Sequence, residues 1–490
     1  MIEWGVSFGS HDAALAVFED SKLVFASSSE RFSKLKDDPD LHSDLIAHAV
    51  RTHGNPSRIH YHENHLLKRL RYLRSGQLSH VFEPAPTSAL KNLGIDAPVT
   101  SVHHHLSHAS AGYLTSHLSN ATIVVMDAIG ELDTTSIWTA NGNTITKVWQ
   151  NSYPHSMGLF YSALTDAVGL KPNQEEYILM GMAAYGDPTA LASVFKEKLL
   201  HIDKRGPGFK LLHNLHRGCK HLLPSGCDPN DVAAAGQKIY EMVLRHILEW
   251  AWVNLPSKNL VLMGGCALNC VANSRIMSWN RWANVWIMPN PGDAGSAVGA
   301  VLGSRSLRID WPGPYLGYEI SGAYPREAVL HQLNIRGMAA VANGKAEFGP
   351  RALGNRSILA DPRIPDMKQR MNWLKRREQF RPFAAVIPAH LASTYFDMRG
   401  VSESPYMQFV FNCKQPTEYP AITHVDGTCR IQTVTKAQHE GLFDTLMAWY
   451  DATGCPMLVN TSLNIKGQPL VNDLKDCLEW TKNYGVPVFT

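Results

Sequence analysis

Apolar, β-rich runs that stop abruptly at a tight turn recur along this chain and restrict its fold more than any other feature. MIEWGVS gives way to Phe8-Gly9-Ser10, ATIVVM to Asp127 and then GELDTT (130–135), residues 259–263 to Gly264-Gly265, and residues 285–288 to PNPGD. Helical patterns follow in HHHLSHASAGYLTS, across 231–253 and in the small-residue run AGSAVGAVLGS. Strand, turn and helix in alternation predict a layered α/β fold. Leu15 and Val17 before Glu19-Asp20-Ser21, with Leu23, Val24 and Phe25 after it, predict a hairpin within 1–30. Residues 42–74 predict a helix that turns basic towards its end, and 98–102 a short strand.

A chain of 490 residues exceeds one core of ordinary size, so two or three domains are expected. The Pro- and Gly-rich WPGPYLGYEISG (311–322) reads as a connector. The expected division is an α/β domain over 1–310, a linker over 311–324 and a second, arginine-rich α/β domain over 325–490. No stretch has the make-up of a secretion leader, and no apolar run reaches the roughly eighteen residues that span a bilayer. A cytoplasmic protein without a membrane partner is therefore expected. The eight cysteines are scattered without a C-x-x-C pair, which disfavours a zinc ribbon and, with no leader, a disulfide framework.

Four groups of residues carry chemistry. His104 and His108 lie one helical turn apart, so both imidazoles can reach one metal ion, although a histidine-rich surface turn has the same pattern. Asp127 ends an apolar strand and Asp293 sits where PNPGD passes into a helix. Carboxylates at strand ends face a cleft in α/β folds, while Asp293 would serve equally as an N-cap. Two His and two Asp suit a divalent metal such as iron or zinc that keeps open positions. His11-Asp12 follows the first strand; an imidazole there can take a proton from a hydroxyl, or simply bond the turn. Gly264-Gly265, and Gly292 with Gly295, offer backbone amides to a phosphate.

The fourth group is the most specific. EFGPRALGNRSILADPR and MNWLKRREQFRPF place Arg351, Arg356, Arg363, Lys375, Arg376, Arg377 and Arg381 among apolar residues, where cations bind phosphates or carboxylates. Downstream lie Arg430 and the run Asn460, Thr461, Ser462 and Asn464. Salt bridges to Glu347, Asp361 and Glu378 are the plainer account. Two basic stretches, 58–74 and 196–220, read as solvated surface or as contacts to a nucleic-acid backbone; the formal net charge of +3 is compatible with both.

These segments together resemble the O-carbamoyltransferases, the family of the nodulation-factor, cephamycin and aminoglycoside enzymes. The likeness runs from SHDAALAV through HHLSHASA, MDAIGELDTTSIW, MGMAAYGDP, GGCALNCVANSRI and PGDAGSAVGA to HVDGTCRIQTV and NTSLNIKGQPLV. It implies an actin-like (ASKHA) N-terminal domain of two subdomains and a YrdC-like α/β C-terminal domain. It implies that the latter makes carbamoyl-adenylate from ATP, with Mg, and carbamoyl phosphate, and that the former delivers the carbamoyl group to a hydroxyl. Carried over by motif, the metal ligands are His104, His108, Asp127 and Asp293, with iron(II) implied. The adenylate site is Arg351, Arg356, Lys375, Arg377, Arg381, Arg430, Asn460, Thr461, Ser462 and Asn464, with Gly264 and Gly265 as nucleotide-binding turns. His11, with Asp12, is the expected base. The chain departs from the family's GEYK at Ile178. The basic stretches lean towards a hydroxymethylated pyrimidine in DNA as acceptor; a sugar or natural-product hydroxyl, a tRNA threonylcarbamoyl transfer and a non-catalytic nucleotide-binding regulator are the alternatives. The assembly expected is a homodimer.

Overall fold

The computed structural model describes residues 1–279 and 281–490 as a mixed α/β protein in two compact units. One unit holds Met1–Phe25 and Pro39–Trp311, the other Ala26–Asp38 and Pro312–Thr490.

The first unit contains two five-stranded sheets with one topology. In the N-terminal sheet, Ile2–Ser7 pairs antiparallel with Ala14–Glu19 and parallel with Arg58–Tyr61, which pairs with Val99–Ser101. In the other, Asn120–Gly130 pairs antiparallel with Asp133–Asn141 and parallel with Asn259–Met263, which pairs with Asn284–Trp286. Each sheet is thus an antiparallel three-strand meander extended on one side by two parallel strands. Central strands covered on both faces require near-continuous apolar runs; residues 13–18 and 123–126 supply them, all without solvent exposure. Two helices, His104–Leu114 and Asp293–Arg305, come unusually close. A Cβ on Gly299 would lie 1.8 Å from the carbonyl oxygen of Ser107, so only glycine permits the approach.

Two expectations are corrected. Residues 42–74 are not one helix: Ser43–His53 stops at Gly54, strand Arg58–Tyr61 follows, and a helix resumes at His65–Ser75. Gly54-Asn55-Pro56 breaks the helical hydrogen bonding, and burial of Ile59, His60 and Tyr61 favours the sheet. The connector at 311–322 contains strand Tyr315–Ile320, antiparallel to Gly344–Glu347. Its Pro and Gly residues fall mainly at the strand's ends, where they do not interrupt the ladder.

The second unit is built on an eight-stranded mixed sheet. Its central strands Arg356–Ala360, Ala384–Pro388 and Leu458–Ser462 are buried along most of their length. Arg31, 3% exposed, donates to the carbonyl of Gly349 at 3.1 Å and ties the early segment 26–38 to this unit. No helix among the described residues is long and apolar enough to cross a membrane.

Candidate metal centre and cationic cluster

In the first unit, the chain delivers two imidazoles from one helix and two carboxylates from separate turns. His104 and His108 lie on the first two turns of His104–Leu114. The ladder of Asn120–Gly130 is regular to Met126 and resumes at Gly130, so Asp127 falls in the irregularity, where a strand re-aims its side chains. Asp293 is the first residue of its helix and turns its carboxylate to the imidazoles instead of capping.

His104 Nε2 lies 3.1 Å from Asp127 Oδ2 and 3.3 Å from Asp293 Oδ1. His108 Nε2 lies 3.3 and 3.2 Å from the same two oxygens, and 3.1 Å from His104 Nε2. The four side chains are all buried. Neighbouring donors on one ion, at bonds of about 2.1 Å, sit about 3.0–3.4 Å apart. The quartet therefore fits a single divalent cation. Protons alone satisfy it poorly. Burial penalises every charge in the set, yet the carboxylates hold His104 and His108 above the usual imidazole range. Two imidazolium N–H groups would then face each other across 3.1 Å.

Further groups hold these ligands. His108 Nδ1 is 3.1 Å from Ser296 Oγ, and Asp127 Oδ1 accepts from the amides of Ala128 and Gly265 at 2.8 and 3.3 Å. Such contacts fix the aim of metal ligands. Gly264 (φ 89°) has no room for a Cβ, which would lie 2.1 Å from the Met126 carbonyl oxygen. Of the glycine pair expected to cradle a phosphate, Gly265 gives its amide to Asp127 and Gly264 gives its own to the Pro291 carbonyl at 2.9 Å. Glu131, buried and in the left-handed region (φ 57°), accepts from the amides of Asn64 and His104 at 2.5 and 3.4 Å and faces His103 Nδ1 at 3.1 Å. The helix start has no side-chain cap of its own, so Glu131 supplies the acceptor from outside. Sequence reasoning flagged GELDTT as a turn and missed this role. Ser296 was findable, because it stands one turn after Asp293 on the same helix.

His11 joins the site edge, with Nε2 3.7 Å from Asp293 Oδ2 and Nδ1 3.2 Å from Asp12 Oδ2. Burial opposes its charge, but Asp293 and Asp12 outweigh that and push it up to about 10. Its side chain is 40% exposed, so water moderates the effect.

In the second unit, the predicted residues divide into two sets. Lys375 is buried; its Nζ donates to the carbonyls of Ser462 and Asn464 at 2.5 and 2.8 Å and to Asn464 Oδ1 at 3.0 Å. Ser462 Oγ donates to Asn464 Oδ1 at 2.7 Å. Burial, then the charges of Arg377 and Arg381, push Lys375 well below the usual lysine range. A cluster whose own cations discourage one another is stabilised by an anion. Arg377 lies over the Phe383 ring at 4.1 Å, and Arg381 is 3.6 Å from Glu378. Asn460 donates to Gln432 and to the carbonyl of Ala352 at 2.7 and 3.2 Å, while Thr461 stands opposite Ile358 in the ladder. Arg430 lies two residues before Gln432 on one strand, with a buried Nε that has no hydrogen-bond partner among the described residues.

Arg356 differs. Fully buried, it donates to the carbonyls of Tyr318, Asn343, Gly344, Asn355 and Asn472 at 2.8–3.2 Å. Its donors are engaged by backbone, which corrects the expectation that it binds phosphate. Arg351 stands on the loop before it. That loop is fixed by Glu347, which accepts from the amides of Leu353, Asn355 and Arg356 at 2.7–3.2 Å, and by Tyr315, Gln432 and His439.

Residues 86–302 match the family description "Carbamoyltransferase N-terminus", and residues 331–489 match "Carbamoyltransferase C-terminus". The chain is 31% identical to nodulation protein NolO of Bradyrhizobium diazoefficiens, across 77% of this chain and 75% of that protein. It is 31% identical to protein sll1178 of Synechocystis, covering 95% and 92% respectively. To 3'-hydroxymethylcephem-O-carbamoyltransferase of Amycolatopsis lactamdurans it is 27% identical, covering 97% and 95%. With both halves of the family present in order, the chain belongs to the O-carbamoyltransferases.

Proposed function

We propose that this enzyme makes carbamoyl-adenylate from carbamoyl phosphate and ATP in the second unit, consuming one water and releasing phosphate and pyrophosphate, and transfers the carbamoyl group to an acceptor hydroxyl in the first, releasing AMP. The observation that carries the proposal is the buried quartet of His104, His108, Asp127 and Asp293 at the spacing of ligands on one ion. We assign the first unit an actin-like fold, because its two sheets repeat one strand order. The second unit is assigned a YrdC-like fold, with domain boundaries near 310 and 325.

Lys375, Arg377 and Arg381, with Arg351 and Arg430, hold the anionic phosphates; Ser462 and Asn464 orient Lys375, and Asn460 and Thr461 line the same strand. Arg356 supports the loop that carries Arg351. In the other unit, a bound divalent metal, iron(II) by family likeness, supplies Lewis acidity towards substrate oxygens. His11 Nε2 would accept the acceptor's hydroxyl proton, with Asp12 steadying the ring through Nδ1. That role requires Asp293 to be neutralised, since the bare carboxylate keeps His11 protonated.

For the acceptor we favour a hydroxymethylated pyrimidine in DNA, on the strength of exposed cations in the first unit. A small-molecule hydroxyl is the second reading, supported by the cephem relative. The deciding assay incubates enzyme, ATP, carbamoyl phosphate and a divalent metal with hydroxymethylated DNA, unmodified DNA or sugar acceptors, and weighs the products. Gain of one carbamoyl unit on the hydroxymethylated strand alone supports the first reading. Pyrophosphate release that does not depend on carbamoyl phosphate would sink the adenylate chemistry.

A further inference from the structure

The segment 196–222 is attached to the first unit by short elements: a hairpin of Leu200–Ile202 with Phe209–Leu211, and two single 3₁₀ turns. Its inner face is apolar, with Leu199, Phe209, Leu211 and Leu215 buried. Its outer face is basic. All seven cations of the run, from Lys196 to Lys220, are exposed, and none forms an ion pair among the described residues. Against them stand Glu197 and Asp203, so the surplus is 7 − 2 = 5 positive charges.

Two features separate this from an ordinary solvated surface. First, in the hairpin register Lys210 stands directly opposite His201, both exposed, with Lys204 and Arg205 at the tip. The hairpin's acid, Asp203, accepts from the Arg205 amide at 2.9 Å and forms no ion pair with these cations among the described residues. Second, the fold joins this run to the other basic stretch. The guanidinium of Arg217 lies 3.6 Å from where a Cβ on Gly76 would stand, at the end of the helix His65–Ser75. Of the cations in that helix, Lys68 and Arg71 are buried against Glu63 at 3.0 and 3.7 Å and face inward, Arg69 is half-buried and donates to the Glu83 carbonyl at 3.0 Å, and Arg74 is exposed. Arg74 therefore extends the basic face.

We propose that this face, centred on Lys204, Arg205, Lys210 and Arg217, is a docking surface for the phosphate backbone of nucleic acid. The inference rests on the DNA-acceptor reading above and places its contact region. A row of exposed cations without ion-pair partners among the described residues, carried on one hairpin segment, suits a polyanion read by charge and not by base. On the hairpin segment itself lipid is the poorer fit, because Leu212 is the one large apolar side chain exposed among 196–220 and membrane surfaces require an inserted apolar face; Leu66, Leu73, Leu78 and Phe82, exposed on the adjoining helix and turn, make vesicles a necessary arm of the test.

The test is fluorescence anisotropy with the full-length protein and a labelled duplex of about 20 base pairs lacking any hydroxymethyl group. With about four phosphate contacts, affinity falls on the order of 100-fold between about 50 and 200 mM salt. Losing two contacts, as in Lys204→Glu with Arg205→Glu, reduces that salt response to on the order of 10-fold. The double variant should also bind at least tenfold more weakly at the lower salt. Arg51→Glu, an exposed reversal elsewhere in the unit, should leave binding unchanged. The proposal is overturned if the double variant binds like the unaltered protein, if Arg51→Glu weakens binding equally, or if phosphatidylserine vesicles compete the duplex away. Carbamoyl-phosphate-dependent pyrophosphate release, measured alongside, should be equal in all three proteins. Its absence in the unaltered protein would remove the chemistry while leaving the binding result standing.

Discussion

Replacing Arg356 by Met separates a structural arginine from a catalytic one. Five backbone carbonyl oxygens lose a donor, and that of Asn355 keeps the Asn343 amide at 3.1 Å. Unsatisfied buried groups cost about 1–2 kcal/mol each, or about 4–8 kcal/mol for the other four. Against this, burial pushes the Arg356 guanidinium down to about 10, which corresponds to about 3 kcal/mol of desolvation that methionine avoids. The net loss is about 3 kcal/mol, the middle of what remains. For a unit of this size that lowers Tm by about 6–12 °C. Thermal unfolding followed by near-ultraviolet circular dichroism reads it directly. Arg351→Ala should unfold near the unaltered temperature yet lose pyrophosphate release. If Arg356→Met keeps its Tm and loses only nucleotide turnover, the structural assignment of Arg356 is wrong.

Asp293→Asn should abolish binding of one metal equivalent, seen as loss of the thermal shift on adding iron(II) or zinc after chelation. Glu131→Gln should weaken metal affinity roughly 10-fold by loosening the start of the histidine helix, measured by chelator competition, with Tm of the metal-free protein changed by only a few degrees. His439 gives a pH signature. Leu442 N–H donates to its Nδ1, so Nε2 carries the proton to Asn355 Oδ1 at 2.7 Å. Burial lowers this imidazole to about 4. The neutral form is the folded one, so stability is complete above about 6.5 and is lost as pH falls from there through about 4. His439→Gln should flatten that slope in urea unfolding.

How much of this was legible in sequence depends on the kind of interaction. The histidine pair announced itself by its four-residue spacing, and Asp127 and Asp293 by their places at strand and helix ends, so local pattern sufficed to nominate them. Glu131 was hidden because its work is done through backbone amides of Asn64 and His104, far away in sequence. Arg356 misled for the opposite reason: composition shows an arginine among apolar residues but not that five carbonyls surround it. The strand Arg58–Tyr61 was missed because four residues carry too little periodicity to compete with the helices flanking them; Gly265 was named, but not its bond to Asp127, because a glycine amide gives no hint of its acceptor.

The grouping of residues 26–38 with the second unit has a consequence for biosynthesis. The segment leaves the ribosome about 270 residues before its unit resumes at Pro312 and about 450 before that unit ends. At elongation rates of about 5–20 residues per second, completing the unit takes on the order of tens of seconds. Until then Arg31 has its neighbour Glu30 but not the Gly349 carbonyl. A polypeptide severed after Trp311 would separate the later unit from part of itself, so the two halves cannot be exchanged between relatives as independent cassettes without carrying that early stretch along.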